Sequence, residues 1–366
     1  MQINVTRPWI SCQLFLFVNP HDGKIELSKS HESILYVLDR LDFEQFIQVF
    51  MGYQGRPKEN RQAILRSFVA KAILNLPTTR ALLDRLSIDA VLRRLMGWER
   101  KSDIPSEATF SRAFKEFSDS KVLEIIHEHL IKNVYANRVI GHLSRDSTEI
   151  DAREKVLKKP KIKIAKASKK RGRKRKGEPV VPPEPKRLQR QLTQTLSEML
   201  AELPMACDKG GKKDSKGNTH YWHGYKLHID TADGDVPISV ILTSASVHDS
   251  QVAIPLISKS KSRTLSIFYE LMDAAYDAKE IKETVVKNGS VPLIDSNNRG
   301  SKTPREFAPH EKQRYKQRSS AERTNSQLKD NLGARFLRVR GPDKAMTHLM
   351  FGVLALAVIQ IGRLFT

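Results

Sequence analysis

The chain of 366 residues holds 63 Lys or Arg against 41 Asp or Glu, a formal net charge of +22. This excess predicts a polyanionic partner and favours nucleic acid over an anionic membrane. Two cysteines, Cys12 and Cys207, exclude a disulfide framework and fit a reducing cytoplasm. The apolar run 350–361 is too short to span a bilayer and the run 9–18 lacks a signal-peptide cleavage site, so we expect neither membrane insertion nor secretion.

The hydrophobic pattern divides the chain into three parts. We expect an N-terminal lead over residues 1–35, an all-helical domain over 36–138, and an α/β domain over 139–366. In the last part helices flank a mixed sheet, and a basic segment at about 153–219 interrupts it.

The helical part consists of short predicted helices joined by tight turns. Apolar residues recur at helical spacing over 61–76. Thr78 or Thr79 is placed to cap the next helix, Ser87 to cap the one after it, and Ser106 stands at the start of a further helix.

This arrangement suits a helix-turn-helix DNA reader, although an ordinary helical bundle fits the same pattern. We favour DNA binding because the chain is basic and because Arg112 and Lys115, on the helix after Ser106, would face a phosphate backbone.

The basic segment concentrates the charge of the chain. Residues 151–190 contain 17 Lys or Arg against four acids, so more than half of the net charge lies in these 40 residues. We therefore expect a mobile insertion that binds DNA phosphates in a salt-dependent manner, with a solvated linker as the alternative. Its central run is the expected contact and a candidate for an AT-rich minor groove. The residues are Arg171, Arg173, Lys174 and Arg175.

The remainder alternates strands and helices. Strands are predicted at 141–150, 221–230, 237–246, 265–273 and 291–295, and helices at 249–258, 278–289 and 313–330.

Three acids occupy separate elements of this part. Asp146 lies in the first strand, Asp273 ends a hydrophobic strand, and Glu322 lies on the last of these helices. Carboxyl edges of strands are common ligand sites, so the three acids are candidates to converge there. A carboxylate cluster needs a cation, and oxygen ligands select Mg²⁺ or Mn²⁺. Two such ions would serve phosphodiester cleavage.

The predicted helix 313–330 carries a polar stripe. At about 100° per residue, Tyr315, Arg318, Glu322 and Lys329 fall within an arc of about 60° along roughly 21 Å. One alternative is a solvated face, with Arg318 and Glu322 as an i, i+4 ion pair. We expect Arg318 and Lys329 to hold phosphates beside the scissile one, Tyr315 to contact the DNA end and Arg323 to be a further DNA contact.

Histidines offer a weaker alternative. His220, His223 and His228, with His248 nearby, would suit zinc, but their spacing is loose and no cysteine joins them. We expect ordinary strand and turn histidines. Asp249 is predicted to cap a helix or to support the acidic site.

These motifs resemble the bacterial insertion-sequence DDE transposases, whose catalytic domain is RNase H-like. The four stripe residues match the family signature Y-x2-R-x3-E-x6-K. Residues 273–277 are similar to the motif D-x-G-Y-D, with Ala275 in place of glycine, and Asp146-Ser147-Thr148 matches the first motif. The stretches WHGYKLH, SVHDS and LRVRG also look like this family, and the resemblance covers most of the chain after about residue 35.

The resemblance implies an enzyme that binds terminal inverted repeats, hydrolyses DNA to expose 3′-OH ends and transfers them to target DNA. It implies that Asp146, Asp273 and Glu322 are catalytic and hold two Mg²⁺ or Mn²⁺ ions. The partner would be double-stranded DNA, and the assembly a homodimer or synaptic multimer at the bacterial nucleoid in the cytoplasm. A metal-dependent nuclease or resolvase without strand transfer, and a non-enzymatic DNA-binding remnant, remain alternatives.

Overall fold

The structure, a computed structural model, describes residues 27–41, 43–47, 60–156, 184–213, 217–264, 266–296 and 306–365. The basic run predicted to contact DNA lies outside these residues; it comprises Arg171, Arg173, Lys174 and Arg175. The same holds for most of the N-terminal lead.

Helices precede the first strand, as predicted. Within the described part of the chain they are α1 (Lys29–Arg40), α2 (Glu44–Ile47), α3 (Arg61–Ile73), α4 (Thr79–Ile88), α5 (Ala90–Met96), α6 (Glu107–Asp119) and α7 (Val122–Tyr135). Thr78 caps α4, accepting from Ala81 N at 3.0 Å. The predicted cap at Ser87 is wrong: Asp89 caps α5, accepting from Leu92 N at 2.9 Å, because α4 continues past Ser87.

Helix α6 has one buried apolar face and one exposed basic face, as a DNA-binding helix would need. Phe110 and Phe114 are buried, whereas Arg112 and Lys115 are exposed. Only Asp89 separates α4 from α5, and residues 97–106 separate α5 from α6. The helix-turn-helix stays a prediction.

The second part is a mixed sheet flanked by helices, which confirms the predicted fold class. Its strands are β1 (Val139–Ala152), β2 (Asp208–Lys213), β3 (Thr219–Ala232), β4 (Val236–Ser244), β5 (Ser266–Met272), β6 (Val291–Ile294) and β7 (Phe336–Leu337). Its helices are α8 (Arg187–Gln191), α9 (Leu196–Ala201), α10 (Ser250–Lys261), α11 (Lys279–Lys287), α12 (Pro309–Tyr315), α13 (Ser319–Asn331) and α14 (Pro342–Phe365).

Strand β1 is the centre of this sheet. It runs antiparallel to β3 and parallel to β5, and β6 continues the parallel side. Strand β3 also pairs with β2 over residues 219–224 and with β4 over residues 225–232. At the change of partner stands Gly224, where a Cβ would lie 2.0 Å from Ile150 O, so only glycine allows β3 to approach β1 this closely.

Part of the predicted mobile insertion is folded. Helices α8 and α9 pack against α10, with Gln191 Nε2 donating to Gln251 O at 2.9 Å. Met199 and Leu203 are buried there, and β2 joins the sheet. The prediction of a mobile segment is therefore wrong for residues 187–213, because this stretch has apolar side chains to bury.

The predicted helix 313–330 is interrupted. It begins earlier, at Pro309, and the 3₁₀ turn Lys316–Arg318 separates α12 from α13. The uniform helical wheel therefore does not hold between Tyr315 and Glu322, since a 3₁₀ turn advances a residue by a larger angle.

The C-terminal helix α14 joins the two parts. It is long and apolar enough to cross a membrane, but 78% of its most apolar 18-residue window is buried inside the protein. It contacts α3, α6 and α7 as well as β4. One hydrophobic core thus includes Phe68 and Phe114 of the helical part, Phe351 of α14 and Leu242 of the sheet.

Candidate active site

Two of the predicted acids meet at the point where β5 ends beside β1. In the parallel pairing of β1 with β5, Ser144 lies opposite Leu271. Two residues further along each chain stand Asp146 and Asp273, so the register sets them side by side where β5 ends. Asp273 accepts a hydrogen bond from Ala275 N at 2.9 Å, which fixes the turn after the strand.

Helix α13 brings the third acid to the same place. Asp146, Asp273 and Glu322 line one open pocket, here called the carboxylate pocket. Glu149, Lys212 and Trp222 line it as well. Glu322 is hydrogen-bonded to Arg318, the i, i+4 pair that the sequence suggested.

The environment of the two aspartates disfavours their charge. Burial, together with the neighbouring carboxylate of Asp273, raises the pKa of Asp146 to about 6, against the opposing effects of a backbone hydrogen bond from Ser147 and the charges of Lys212 and Arg318. Burial also raises the pKa of Asp273, with a contribution from Asp249. Both carboxylates would therefore gain from an added positive charge.

Hydrogen bonds hold the acids in place. Asn325 Nδ2 donates to Asp146 Oδ2 at 3.1 Å, and the hydroxyl of Tyr315 donates to Met272 O, immediately before Asp273, at 3.1 Å. Burial raises the pKa of Tyr315 to about 12, so this hydroxyl stays a donor. The structure thus gives Tyr315 an anchoring contact besides its predicted role at the DNA end.

The predicted phosphate clamps have partners within the protein. Lys329 Nζ lies 3.4 Å from Glu149 Oε1, inside the carboxylate pocket. Arg323 points elsewhere: its Nε and Nη2 donate to the two oxygens of Asp235 at 2.8 and 2.7 Å, which ties α13 to the β3–β4 turn.

A second group of polar residues supports the pocket. Asp249 does not cap α10 with its side chain but accepts from Lys226 Nζ at 2.9 Å, and Lys226 also lines the pocket. His228 is buried and hydrogen-bonds Thr243 Oγ1 at 3.0 Å. Of the two roles predicted for Asp249, the geometry fits the supporting one.

A buried ion cluster lies next to Asp146 on the opposite face of β1. Arg145 donates to Asp230 Oδ2 at 2.8 Å and to Glu270 Oε2 at 3.1 Å, and each of the three side chains is at most 2% exposed. These contacts tie β1 to β3 and β5, the neighbours that set the position of Asp146.

Several pocket residues were not predicted from the sequence, among them Asn325, Glu149 and Lys212. Asn325 lies one helical turn after Glu322, a spacing that could have revealed it. Glu149 follows Asp146 by three residues in the same strand, but an acid in a strand does not by itself indicate a functional site. Lys212 belongs to the segment expected to be mobile, so nothing in the sequence placed it at the pocket.

The residues present fit a hard divalent cation in part. Asp146 and Asp273 offer adjacent oxygen donors in a setting that disfavours negative charge, which is the donor chemistry of Mg²⁺ and Mn²⁺ sites. Among the described residues, no three His, Cys, Asp or Glu side chains are grouped closely enough to hold a metal ion. Glu322, turned towards Arg318, would have to rotate to complete the set.

Comparisons with known proteins identify the family of the chain. A family model described as transposase DDE domain matches residues 139–358, and one described as transposase domain (DUF772) matches residues 22–116. No curated protein matches the chain at a significant level. Because the first match covers more than half of the chain, the chain belongs to the transposase DDE domain family, that of the insertion-sequence DDE transposases.

Proposed function

We propose that the protein is a DNA transposase that binds the terminal inverted repeats of its element, hydrolyses phosphodiester bonds to expose 3′-OH ends and transfers these ends to target DNA. Family membership supports transposition, with DNA as the partner, in general terms. The finer proposal rests above all on one observation: Asp146 and Asp273 stand side by side in the pocket that Glu322 also lines.

The catalytic residues in this proposal are Asp146, Asp273 and Glu322, which would hold two Mg²⁺ or Mn²⁺ ions. Bound metal supplies Lewis acidity that activates a nucleophilic oxygen and stabilises the leaving oxygen of a phosphodiester. The hydrogen bond that Asn325 donates to Asp146 Oδ2 would hold this carboxylate in a fixed orientation for the metal.

Two cations beside the acids would bind DNA phosphates. Arg318 and Lys329 are paired with Glu322 and Glu149, so each would exchange its carboxylate for a phosphate when DNA enters. That exchange would also free Glu322 for the metal. Tyr315 keeps α12 attached to the end of β5 and thereby holds Arg318 at the pocket.

Double-stranded DNA would extend beyond the pocket. Arg112 and Lys115 lie on the exposed face of α6, and we propose them, together with Arg323 and the basic run 171–175, as backbone contacts. A homodimer or synaptic multimer would hold two ends together at the nucleoid, in the bacterial cytoplasm.

An excision assay in cells tests this proposal. A marker is flanked by the native borders of the gene, and the protein is supplied in trans as wild type, Glu322→Gln or Glu283→Gln. Glu283 is a matched control, since it forms an i, i+4 pair with Lys279 on α11. We expect marker loss with wild type and with Glu283→Gln, and none with Glu322→Gln.

Two other outcomes would contradict the proposal. Equal loss with all three proteins would remove Glu322 from the mechanism. Broken donor sites without reinsertion of the marker would favour the alternative nuclease, which cuts but does not join ends.

A further inference from the structure

A second cavity lies where the helical part meets the sheet. It is lined by α3, by the start of α4 and of α14, and by the LRVRG stretch at 337–341, and it has a volume of about 450 Å³. This cationic cavity is defined by five side chains that share a positive charge. They are Lys71, Arg153, Arg338, Arg340 and Lys344.

No carboxylate among the described residues lines the cationic cavity. Glu154, the acid next to Arg153 in sequence, is engaged elsewhere: it accepts from Tyr225 Oη and from Gly341 N, both at 2.8 Å. That contact holds the LRVRG stretch in place without neutralising its arginines.

Lys71 is the least expected of these cations. It lies in the last turn of α3 and is 8% exposed. Burial and then the charge of Arg338 lower its pKa to about 8. Buried charges in proteins are normally paired, so an ammonium group kept in this position calls for an anion from outside the chain.

The remaining titratable side chain among the described residues of this wall adds no charge. His348 Nε2 lies 3.1 Å from Gly333 O, to which it donates, and burial lowers its pKa to about 4. His348 is therefore neutral at physiological pH and helps shape the cavity rather than charge it.

We propose that the cationic cavity is a phosphate site, occupied by a backbone phosphate of the bound DNA several nucleotides from the scissile one. A guanidinium-rich wall with one buried ammonium group is suited to a phosphate oxyanion. The volume accommodates such a group with its waters, since a water takes about 30 Å³. The DNA part of this inference rests on the proposed function.

The position of the cavity fits a DNA strand that follows β1. Arg153 directly follows β1 and comes seven residues after Asp146, which is roughly 23 Å of extended chain. Phosphates of one DNA strand are spaced by about 3.4 Å along the helix axis, so this distance corresponds to roughly six or seven nucleotides. Strand β7, just before Arg338, pairs with Asp151 and Ala152 and so fixes the LRVRG stretch to the end of β1.

The first test measures anion binding by the metal-free full-length protein. Thermal unfolding is recorded with inorganic phosphate and with chloride at matched ionic strength, for wild type, Lys71→Met and Lys287→Met. Lys287 is an exposed lysine on α11, so its variant loses the same charge away from the cavity. We expect phosphate to raise the Tm of wild type and Lys287→Met but not that of Lys71→Met.

The second test measures DNA binding without metal, by fluorescence anisotropy over a series of salt concentrations. For Lys71→Met we expect weaker binding to end and unrelated duplexes alike, with the slope of log Kobs against log salt reduced by about 0.9 relative to Lys287→Met. Arg338→Gln, which changes an exposed side chain, should show the same loss and replaces Lys71→Met if that variant fails to fold.

The outcomes separate the possible sources of the phosphate. Loss of both responses assigns the site to the DNA backbone, whereas loss of the phosphate response with unchanged DNA binding assigns it to a free phosphate compound. Equal phosphate responses and equal DNA binding in all variants would overturn the proposal. Neither test depends on cleavage, so this site and the proposed function can fail separately.

Discussion

The carboxylate pocket lies beside the middle of β1 and the cationic cavity beyond its carboxyl end, and the two differ in how their charges are balanced. In the carboxylate pocket each clamp cation has an acid beside it, as in the pairs Arg318–Glu322 and Lys329–Glu149. In the cationic cavity Lys71 and its neighbours face no carboxylate among the described residues. The first arrangement suits a site that takes a metal and a phosphate together, and the second a site that takes only an anion.

The largest expected effect concerns the acids of the carboxylate pocket. Asp146→Asn and Asp273→Asn should each lower the rate of DNA cleavage by about a thousandfold or more, since metal catalysis contributes several kcal/mol. Binding of end DNA should persist in both variants. Single-turnover cleavage of a labelled duplex measures the rate, and fluorescence anisotropy measures binding. A cleavage rate within tenfold of wild type would contradict the catalytic role of the carboxylate pocket.

The second prediction compares a paired buried cation with an unpaired one. Arg145→Met leaves Asp230 and Glu270 buried without their partner and should lower the free energy of unfolding by about 3–5 kcal/mol. Lys71→Met removes a buried charge that lacks such partners, so it should cause no loss and should stabilise the protein. Urea unfolding of wild type and of the two variants measures these differences. An equal loss of stability in both variants would contradict the assignment of Lys71 as a buried cation without an acidic partner.

The pH dependence of the Lys71 effect has a definite sign. The pKa of Lys71 is lowered to about 8 in the folded protein, against about 10.4 for an unfolded lysine. The cost of its charge is therefore fully present below about pH 8 and disappears as the pH rises towards about 10.4. The gain from Lys71→Met should be larger at about pH 7 than at about pH 9.5, as repeated urea titrations would show; a gain independent of pH would point to packing instead.

A smaller effect is expected where one hydrogen bond positions a catalytic acid. Asn325→Ala removes the donor to Asp146 Oδ2 and should lower cleavage about 10–100-fold, the range for residues that orient a metal ligand. Asn325→Asp, which cannot donate the same bond to a carboxylate, should not restore activity. If Asn325→Ala instead reduced DNA affinity at an unchanged cleavage rate, Asn325 would be a DNA contact.

The smallest expected effect is that of Tyr315→Phe. Loss of the hydrogen bond to Met272 O should lower the free energy of unfolding by about 1 kcal/mol. Thermal or urea unfolding checks this value, with binding of end DNA measured in parallel. A large loss of DNA binding at unchanged stability would assign Tyr315 to the DNA end, the role that the sequence suggested.

The sequence predicted the elements that carry the acids because those elements are defined locally. Asp146 lies inside an extended run, Asp273 directly follows an apolar strand, and Glu322 lies on a polar helix. The spacing of apolar residues and the turn residues between elements were therefore enough to predict these elements. The break at Lys316–Arg318 could not be seen, since these residues all favour helix and neither Gly nor Pro marks the turn.

Long-range packing accounts for most of what was missed. Helices α8 and α9 fold because α10 offers them a surface, and β2 folds because it pairs with β3. The common core of the two parts exists because α14 contacts both. The cationic cavity likewise draws Lys71, Arg153 and Arg338 from positions far apart in the chain. Composition showed the positive charge of the chain, but only the fold shows that no acid among the described residues lines this cavity.

One assay tests the central claim that the two sites divide catalysis from phosphate binding. Purified wild type, Asp146→Asn and Lys71→Met are given a labelled element end with Mg²⁺, and binding and cleavage are measured in the same samples. We predict that Asp146→Asn binds like wild type but does not cut, while Lys71→Met binds less tightly and cuts at the wild-type rate once DNA is saturating. Cutting by Asp146→Asn, or loss of cutting by saturated Lys71→Met, would contradict the account.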